Sequence, residues 1–423
     1  MGELLQSRKH RQVKYTVTIS NANRRHTLTM KILILGSGLM GPAAAFNAIS
    51  DPDVSQVVVC DLNRRQLDEC ASKLAAFEGA EKLSTTLLDL NDQDAAAKLM
   101  ADFAVVVCAL PSAMSGPAIR AAIQAYTPLV DLARLDQDRF SLLKREVEAA
   151  GGFVITGCGV EPGLTEIVAR HLAEKLDRVD ELHIQCGGIP EEPAPPLGYK
   201  IVFGGRQMPL RERDALFVEN GELKPAPRYS GVEQTVFPGV GECEAWHEDF
   251  MPWLLELPAL KNLRVGTQKT VRWPGYAAKV TVLKEMGLLS QEPVDVDGAR
   301  VAPKKLLDAL LYPHVRLEEG QRDITLFRVQ AVGEKDGRPR TYEVEMVDRY
   351  DEELGFTSMA RTTAFTGAIV ARMIARGDLQ ASGLLPPEQV ITGILFDRLM
   401  EELAAVNIKF DLKAEIRTTF VHS

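Results

Sequence analysis

Long apolar runs are missing from this chain. No segment approaches the roughly 18 consecutive apolar residues that a membrane-spanning helix needs, and the first residues hold no continuous apolar core of the secretory type. Cysteine is scarce and scattered, with six residues at positions 60, 70, 108, 158, 186 and 243 and no Cys-x-x-Cys spacing. That excludes a disulfide framework and a structural zinc site from the expectations, and no metal is assigned. Cys60 and Cys108 close apolar, strand-like runs, where a thiol reads as a small buried hydrophobe. Positive charge is in deficit too. A formal net charge of -9 argues against a surface that tracks nucleic-acid phosphates. The expectation is a protein of the reducing cytoplasm with neither a nucleic-acid nor a membrane partner.

The charge is unevenly spread. Residues 1–29 carry Arg8, Lys9, Arg11, Lys14, Arg24 and Arg25 against Glu3 alone, a net of +5 that leaves -14 for the rest. Such an acid-poor leader can be a targeting segment. The reading preferred here is a basic, disordered extension ahead of Met30, which directly precedes the first apolar run.

What is present is an ordinary globular mixture, 46% hydrophobic and 25% charged, in 423 residues. That length exceeds one hydrophobic core and implies at least two domains. From Met30, apolar runs at 32–35, 57–60, 83–88, 103–108, 128–132 and 152–156 alternate with helical stretches at 40–49, 64–77, 93–100, 117–125 and 136–149. This alternation predicts an α/β domain over 30–157, a doubly wound parallel sheet covered on both faces. Near Gly159 the texture changes to longer alternating β stretches and a Pro-rich turn, Pro190 to Pro196, so a mixed α/β domain is expected over 158–350. Within it, 179–187 is expected to pair with 200–203, and 323–332 with 341–349. Residues 351–423 are expected to be a helical return onto the first domain, with a final strand in the tail.

The strongest chemical signal is Gly36-Ser37-Gly38-Leu39-Met40-Gly41, directly after the run KILIL and directly before a helical pattern. Strand, tight turn, helix and a later acid are the context that the dinucleotide fingerprint requires. Gly36 allows the turn, Gly38 lets a pyrophosphate approach the backbone, and Gly41 lets the helix pack against the sheet. Free N–H groups at the helix start then hold the anion. Asp61 ends the second strand, where a carboxylate accepts from ribose hydroxyls and repels a 2′-phosphate, so NAD is expected over NADP. Arg64 and Arg65 leave NADP open, because guanidinium groups pair with such a phosphate. Asp89, and Ala109, Leu110 and Pro111, end later strands on the same carboxyl edge and are assigned to the adenine and nicotinamide sides.

These residues carry a resemblance. GSGLMG, the DL pair at 131–132, GCGVEPGL (157–164), GGIPEEPAPPLGYKIVF (187–203), VRWPGY (271–276) and FTSMARTTAFTGAIVARMIARG (356–377) together resemble the saccharopine dehydrogenase-like family. The lysine 6-dehydrogenase branch is the nearest. The resemblance implies a Rossmann domain completed by a returning C-terminal helix, an inserted α/β domain for substrate and dimerisation, and a homodimer. It also implies NAD-linked oxidation of the ε-amine of L-lysine, or, as the alternative, a reductive condensation of the saccharopine or carboxynorspermidine type. A dinucleotide-binding protein without catalysis is the third reading. The chain departs from the branch at LPSAMS (110–115), which lacks an aromatic residue after the proline, and at Tyr276, where the branch often has His.

Amine oxidation by hydride transfer needs a base with a tuned pKa, a dry nicotinamide face and a grip on the amino-acid carboxylate. Asp131, at a strand end beside the cofactor, is the first candidate to hold or deprotonate the amine. Lys200 with Tyr199 is the second pair, and Cys158 is a candidate acid. Glu161, at a helix start, and Arg272 and Arg361, whose guanidinium groups can grip a carboxylate in bidentate fashion, are the substrate candidates. His247 reads as a packed surface histidine.

Overall fold

Runs such as Val105–Cys108, buried at every position, cannot be half-exposed strands and need cover on both faces. In the computed structural model, which describes residues 30–416 apart from Gly204, Arg206 and Glu319, they form a seven-stranded sheet. The basic extension expected over 1–29 lies outside the described residues, as does the end of the tail beyond 416. The strands are β1 (Met30–Leu35), β2 (Val54–Asp61), β3 (Leu83–Leu87), β4 (Val105–Cys108), β5 (Leu129–Asp131) and β6 (Phe153–Thr156), joined at the edge by Gly383–Leu385. Every pairing is parallel, in the order β3, β2, β1, β4, β5, β6, then Gly383–Leu385. The strand order reverses between β1 and β4, which is where such sheets bind ligands, beyond the carboxyl ends. The first five helices are α1 (Gly41–Ile49), α2 (Arg64–Leu74), α3 (Gln93–Met100), α4 (Ser115–Gln124) and α5 (Gln137–Ala150). Three of these five take an Asn or Asp cap: Asn63, Asp92 and Asp136 accept from the first-turn amides of α2, α3 and α5.

The second sheet has nine strands and is mixed. Its centre is the 13-residue strand Arg178–Pro190, parallel to Val265–Arg272 on one side and antiparallel to Asp323–Lys335 on the other. The hairpin expected around 323–349 is present as Asp323–Lys335 with Arg338–Arg349. Its turn, Asp336-Gly337, has φ of 52° and 69°, the left-handed pair that a two-residue hairpin requires. The expected pairing of 179–187 with 200–203 is corrected: Lys200–Phe203 forms no strand, and Ile201 makes only an isolated bridge to Arg316. Alternation marks a strand but not its neighbour, and here the neighbours come from far along the chain.

The C-terminal part is also more than a helical return. Ser358–Ala360, a π turn at Arg361–Phe365 and Thr366–Ala375 make one continuous helix between the two sheets. A Cβ on Gly367 would lie 2.2 Å from Leu132 Cδ2 and 3.0 Å from the Cys158 carbonyl oxygen, so a larger residue there would have to displace Leu132. Past it, Gly383–Leu385 joins the parallel sheet, and Asp411–Ile416 joins the mixed one. One apolar cluster runs from Ile32, Ile34 and Val107 through Ala368 and Ile369 to Leu182, Phe327 and Val329, so both sheets share a core. No helix among the described residues is long and apolar enough to cross a membrane.

Candidate active site

The turn after β1 is built for a close ligand. Gly36 has φ +98°, and a Cβ there would lie 2.9 Å from the Ala109 carbonyl oxygen and from Leu110 Cδ2, which fixes residues 109–110 beside the turn. A Cβ on Gly41 would lie 1.9 Å from the Gly36 carbonyl oxygen. At Gly38 nothing stands within 4 Å, so the missing side chain leaves open space above the backbone. The start of α1 has no side-chain cap, and Pro42 supplies no N–H there, so the remaining first-turn amides are open to an anion. Leu39 is exposed and Met40 half-buried on the rim. These features fit the pyrophosphate of a nicotinamide dinucleotide.

Asp61 is placed at this turn with its carboxylate already engaged. Ser37 donates its N–H and its hydroxyl to Oδ2 at 2.8 and 2.9 Å, and Asn63 N–H donates to Oδ1 at 2.9 Å. Two bonds on Oδ2 and one on Oδ1 leave a single lone pair for a ribose hydroxyl. Asp89, exposed, accepts from its own turn at Asn91. Arg64 and Arg65 line an open groove of about 770 Å³ with Asp68, Glu69, Ser72 and Lys73, and Arg65 pairs with Glu69 at 2.8 Å.

Across the switch point, Asp131 ends β5 and is fully buried. Ala133 N–H donates to its Oδ1 at 2.9 Å, while Oδ2 has no partner in bonding geometry. Burial pushes its carboxyl up to about 6, against the pull of the Ser115 hydroxyl and the Ala133 amide. The loop 157–163 is laced to this strand end: Cys158 N–H donates to the Asp131 carbonyl at 2.9 Å and Gly157 N–H to Ala133 at 3.0 Å. Cys158 is fully buried, and burial raises its thiol well above the usual range, so its place as a titrating acid is corrected to a neutral core thiol.

Beyond the loop, three acids gather. Gln268 Nε2 donates to Glu161 Oε1 at 3.1 Å and to Glu166 Oε1 at 2.9 Å. Glu166, in the first turn of α6 (Leu164–Glu174), also accepts from Gly163 N–H at 2.6 Å and Thr165 Oγ1 at 2.7 Å. Glu388 arrives from the C-terminal part, buried, with Oε1 unpartnered. Burial lifts the carboxyl groups of Glu161 and Glu388 to about 8. Glu166 adds to both through like charge, while the Gln268 hydrogen bond, Arg272 and Arg134 pull Glu161 down.

Arg272 is 4% exposed and has no carboxylate within ion-pair distance among the described residues. Its Nη1 donates to its own neighbour's carbonyl at Val271, 2.7 Å, and its Nε has no partner. The guanidinium lies 4.7 Å from the Tyr199 ring centre and 5.9 Å from that of Tyr276. A buried cation without a counter-ion is costly, which keeps Arg272 a candidate for holding an anionic group.

The other expected residues are placed elsewhere. Lys200 Nζ donates to the His314 carbonyl at 3.0 Å, and Tyr199 packs against the Tyr276 ring and the Arg272 guanidinium. Arg361 is corrected: it is 3% exposed, its charge is met by Asp348 at 3.2 Å and Asp351 at 3.5 Å, and Nη2 donates to the Val406 carbonyl at 2.7 Å, which makes it a structural ion pair although Nε has no partner. His247 packs with Nε2 against Gly231, and burial lowers its pKa. Gln268, Glu166, Glu388 and Arg134 were missed. Arg134, three residues past a strand-end acid, carried a positional signal; Glu388, after a Leu-Pro-Pro run, carried none.

The fold, the glycine cradle and the titrating carboxyl edge define a NAD(P)-dependent oxidoreductase. The saccharopine dehydrogenase NADP binding domain matches residues 32–154, and the saccharopine dehydrogenase C-terminal domain matches 159–408. The chain belongs to the saccharopine dehydrogenase family. It is 22% identical over 383 residues to carboxyaminopropylagmatine dehydrogenase of Synechocystis sp., covering 85% of this chain and 92% of that protein. It is 23% identical over 456 residues to the NADP(+), L-glutamate-forming saccharopine dehydrogenase of Saccharomyces cerevisiae (88% and 96%). To carboxynorspermidine synthase of Vibrio alginolyticus it is 23% identical over 400 residues (85% and 92%). The apo structure of the L-Glu-forming saccharopine dehydrogenase from S. cerevisiae superposes with a TM-score of 0.75 at 20% identity, covering 91% of this chain and all of the other. That likeness establishes the shared fold.

Proposed function

We propose that this oxidoreductase acts on the carbon–nitrogen bond of a secondary amine built on an amino acid, interconverting it with the imine of a reductive condensation. The observation that carries the reading is the unpaired, buried Arg272 beside Glu161, a carboxylate grip next to a carboxyl that still holds its proton near neutral pH. The relatives named above, a carboxyaminopropylagmatine dehydrogenase, a saccharopine dehydrogenase and a carboxynorspermidine synthase, support it.

When bound, the nicotinamide dinucleotide exchanges hydride with the carbon next to the nitrogen. Gly36, Gly38 and the first turn of α1 hold its pyrophosphate, and Asp61 takes a ribose hydroxyl. Arg272 fixes the amino-acid carboxylate, since a guanidinium holds both oxygens at once. Glu161 gives a proton to the nitrogen as the imine becomes an amine and takes it back in the reverse direction. Asp131, its carboxyl pushed up to about 6 by burial, is the second acid on the carboxyl edge. The homodimer implied by the resemblance belongs to this proposal as well.

Oxidation of L-lysine alone at its ε-amine is the second reading, favoured by the acids Glu161, Glu166 and Glu388, which suit an ammonium end. Following NAD(P)H absorbance separates the two. Consumption of NAD(P)H that requires both an amino acid and a carbonyl partner supports condensation. NAD(P)H formation with L-lysine alone overturns it in favour of the second reading, and coenzyme binding without turnover on any amine overturns both.

A further inference from the structure

One buried side chain joins two acids of the carboxyl edge. Gln268 lies in the middle of the strand Val265–Arg272, between Ile184 and Glu248 of the neighbouring strands, and is fully buried. Its Nε2 has two hydrogens and both are used, one on Glu161 Oε1 at 3.1 Å and one on Glu166 Oε1 at 2.9 Å. Its carbonyl oxygen has no partner. Turning the amide over would set that oxygen against two carboxyl oxygens, so the acids hold it this way round. A buried acceptor left dry is costly, and an amide kept for packing alone would be paired at both ends. What this amide does instead is hold two carboxyl groups.

The two acids are anchored unequally. Glu166, buried in the first turn of α6, takes Gly163 N–H at 2.6 Å and the Thr165 hydroxyl at 2.7 Å on Oε2, besides Gln268 on Oε1. Glu161 accepts from Gln268, with the Cys186 thiol beside it. Of the three residues Glu161 alone keeps partial exposure, so it is the one able to meet a ligand while the other two stand behind it. Burial raises the Glu161 carboxyl most. The Gln268 hydrogen bond lowers it, Glu166 raises it through like charge, and Arg272 and Arg134 lower it. Behind Glu166 stands Glu388, itself raised by burial and by the Glu166 charge.

We propose that Gln268 is a positioning residue: it ties the Glu161 carboxyl to Glu166, the fixed anchor at the start of α6, and so sets where the exchanged proton is presented. This rests on the secondary-amine reading above, in which Glu161 carries that proton. Freed of the amide, the Glu161 side chain regains its rotamers, and a proton donor displaced by about 1 Å costs up to about 100-fold in rate. The tie has a second consequence. By donating to Glu161 the amide favours its ionised form, whereas the charge of Glu166 opposes that form. Removing Gln268 and removing the Glu166 charge therefore move the Glu161 proton in opposite directions.

The test follows NADPH or NADH consumption by the full chain, with L-glutamate as the amino acid and short aldehydes as carbonyl partners, between about pH 6 and about pH 10. In Gln268→Met, kcat is expected to fall about 10- to 100-fold while KM stays within about threefold, and the alkaline limb of the profile moves to higher pH. Glu166→Gln is expected to move the same limb to lower pH. A residue that only fills space would shift neither. Coenzyme fluorescence reports whether each variant is folded. Should Gln268→Met fail to bind coenzyme, Gln268→Asn is read by the same criteria, because an amide one methylene shorter cannot span both acids. A Gln268 variant with wild-type kcat, or an alkaline limb that stays in place in both the Gln268 and the Glu166 variants, overturns the inference and leaves the secondary-amine reading standing. A wild-type chain that turns over none of these pairs, or shows no alkaline limb, overturns that reading and the inference together.

Discussion

The glycine turn after β1 and the carboxyl edge around Glu161 are both binding regions, yet they are built on opposite principles. The turn is a few contiguous residues whose function lies in missing atoms: the absent side chains at Gly36 and Gly41 let the backbone close, and that at Gly38 leaves room. The edge draws on five separated segments and works through atoms in excess, with carboxyl groups lifted by burial and one buried cation, Arg272, without a counter-ion. A region made from local geometry fails when an atom is added. A region made from opposed charges fails when a charge is removed or its proton moves.

The sharpest way to break the contrast is Gly41→Ala. A Cβ 1.9 Å from the Gly36 carbonyl cannot be accommodated without moving the turn, so melting temperature and coenzyme affinity should fall together, affinity by at least about 100-fold. Gly38→Ala should separate the two, leaving the melting temperature alone and weakening coenzyme binding, read by fluorescence titration. If Gly38→Ala binds coenzyme normally, the open space above it is not the pyrophosphate site.

On the other side, Arg272→Met should cost about 10- to 100-fold in kcat/KM, the loss of one charge-assisted carboxylate grip. The same change should hold or raise the melting temperature, because it removes a buried cation that has no counter-ion. A clear drop in melting temperature would assign Arg272 to the scaffold instead. Glu161→Gln tests the proton. Wild-type imine reduction should decline as pH rises through about 8, where Glu161 loses its proton, and the variant should be slow and lack that limb.

The smallest effect concerns stability. Glu388 titrates near 8 in the folded chain and at about 4.3 when unfolded. Between those values the folded state holds the extra proton, so its contribution is complete below about 4.3 and is lost as pH rises through about 8. Glu388→Gln should therefore flatten the fall in melting temperature between about pH 5 and about pH 8. An unchanged slope would mean that the carboxyl finds a cation or water on ionisation.

Legibility in the sequence followed the same division. β1 through β6 and their helices could be read to within a few residues, because burial on both faces and Asn or Asp caps leave local marks. Asp131 and Glu161 were visible as acids at a strand end and before a helix. Arg361 was misread because a helical arginine beside small residues looks available, while its partner Asp348 comes from a strand of the other sheet. Glu166 and Glu388 went unseen, since what matters is their nearness to Glu161 and not any spacing along the chain.

By itself, then, the amino-acid order determined the parallel sheet, the dinucleotide turn and the kind of chemistry, since each depends on neighbours within a few residues or on a fixed period. Only the tertiary structure decided which charges go unpaired, that the C-terminal part serves both sheets, and that Gln268 bridges Glu161 and Glu166. Burial and the balance of charge are properties of what surrounds a group in space, and the segments that surround these groups are far apart along the chain.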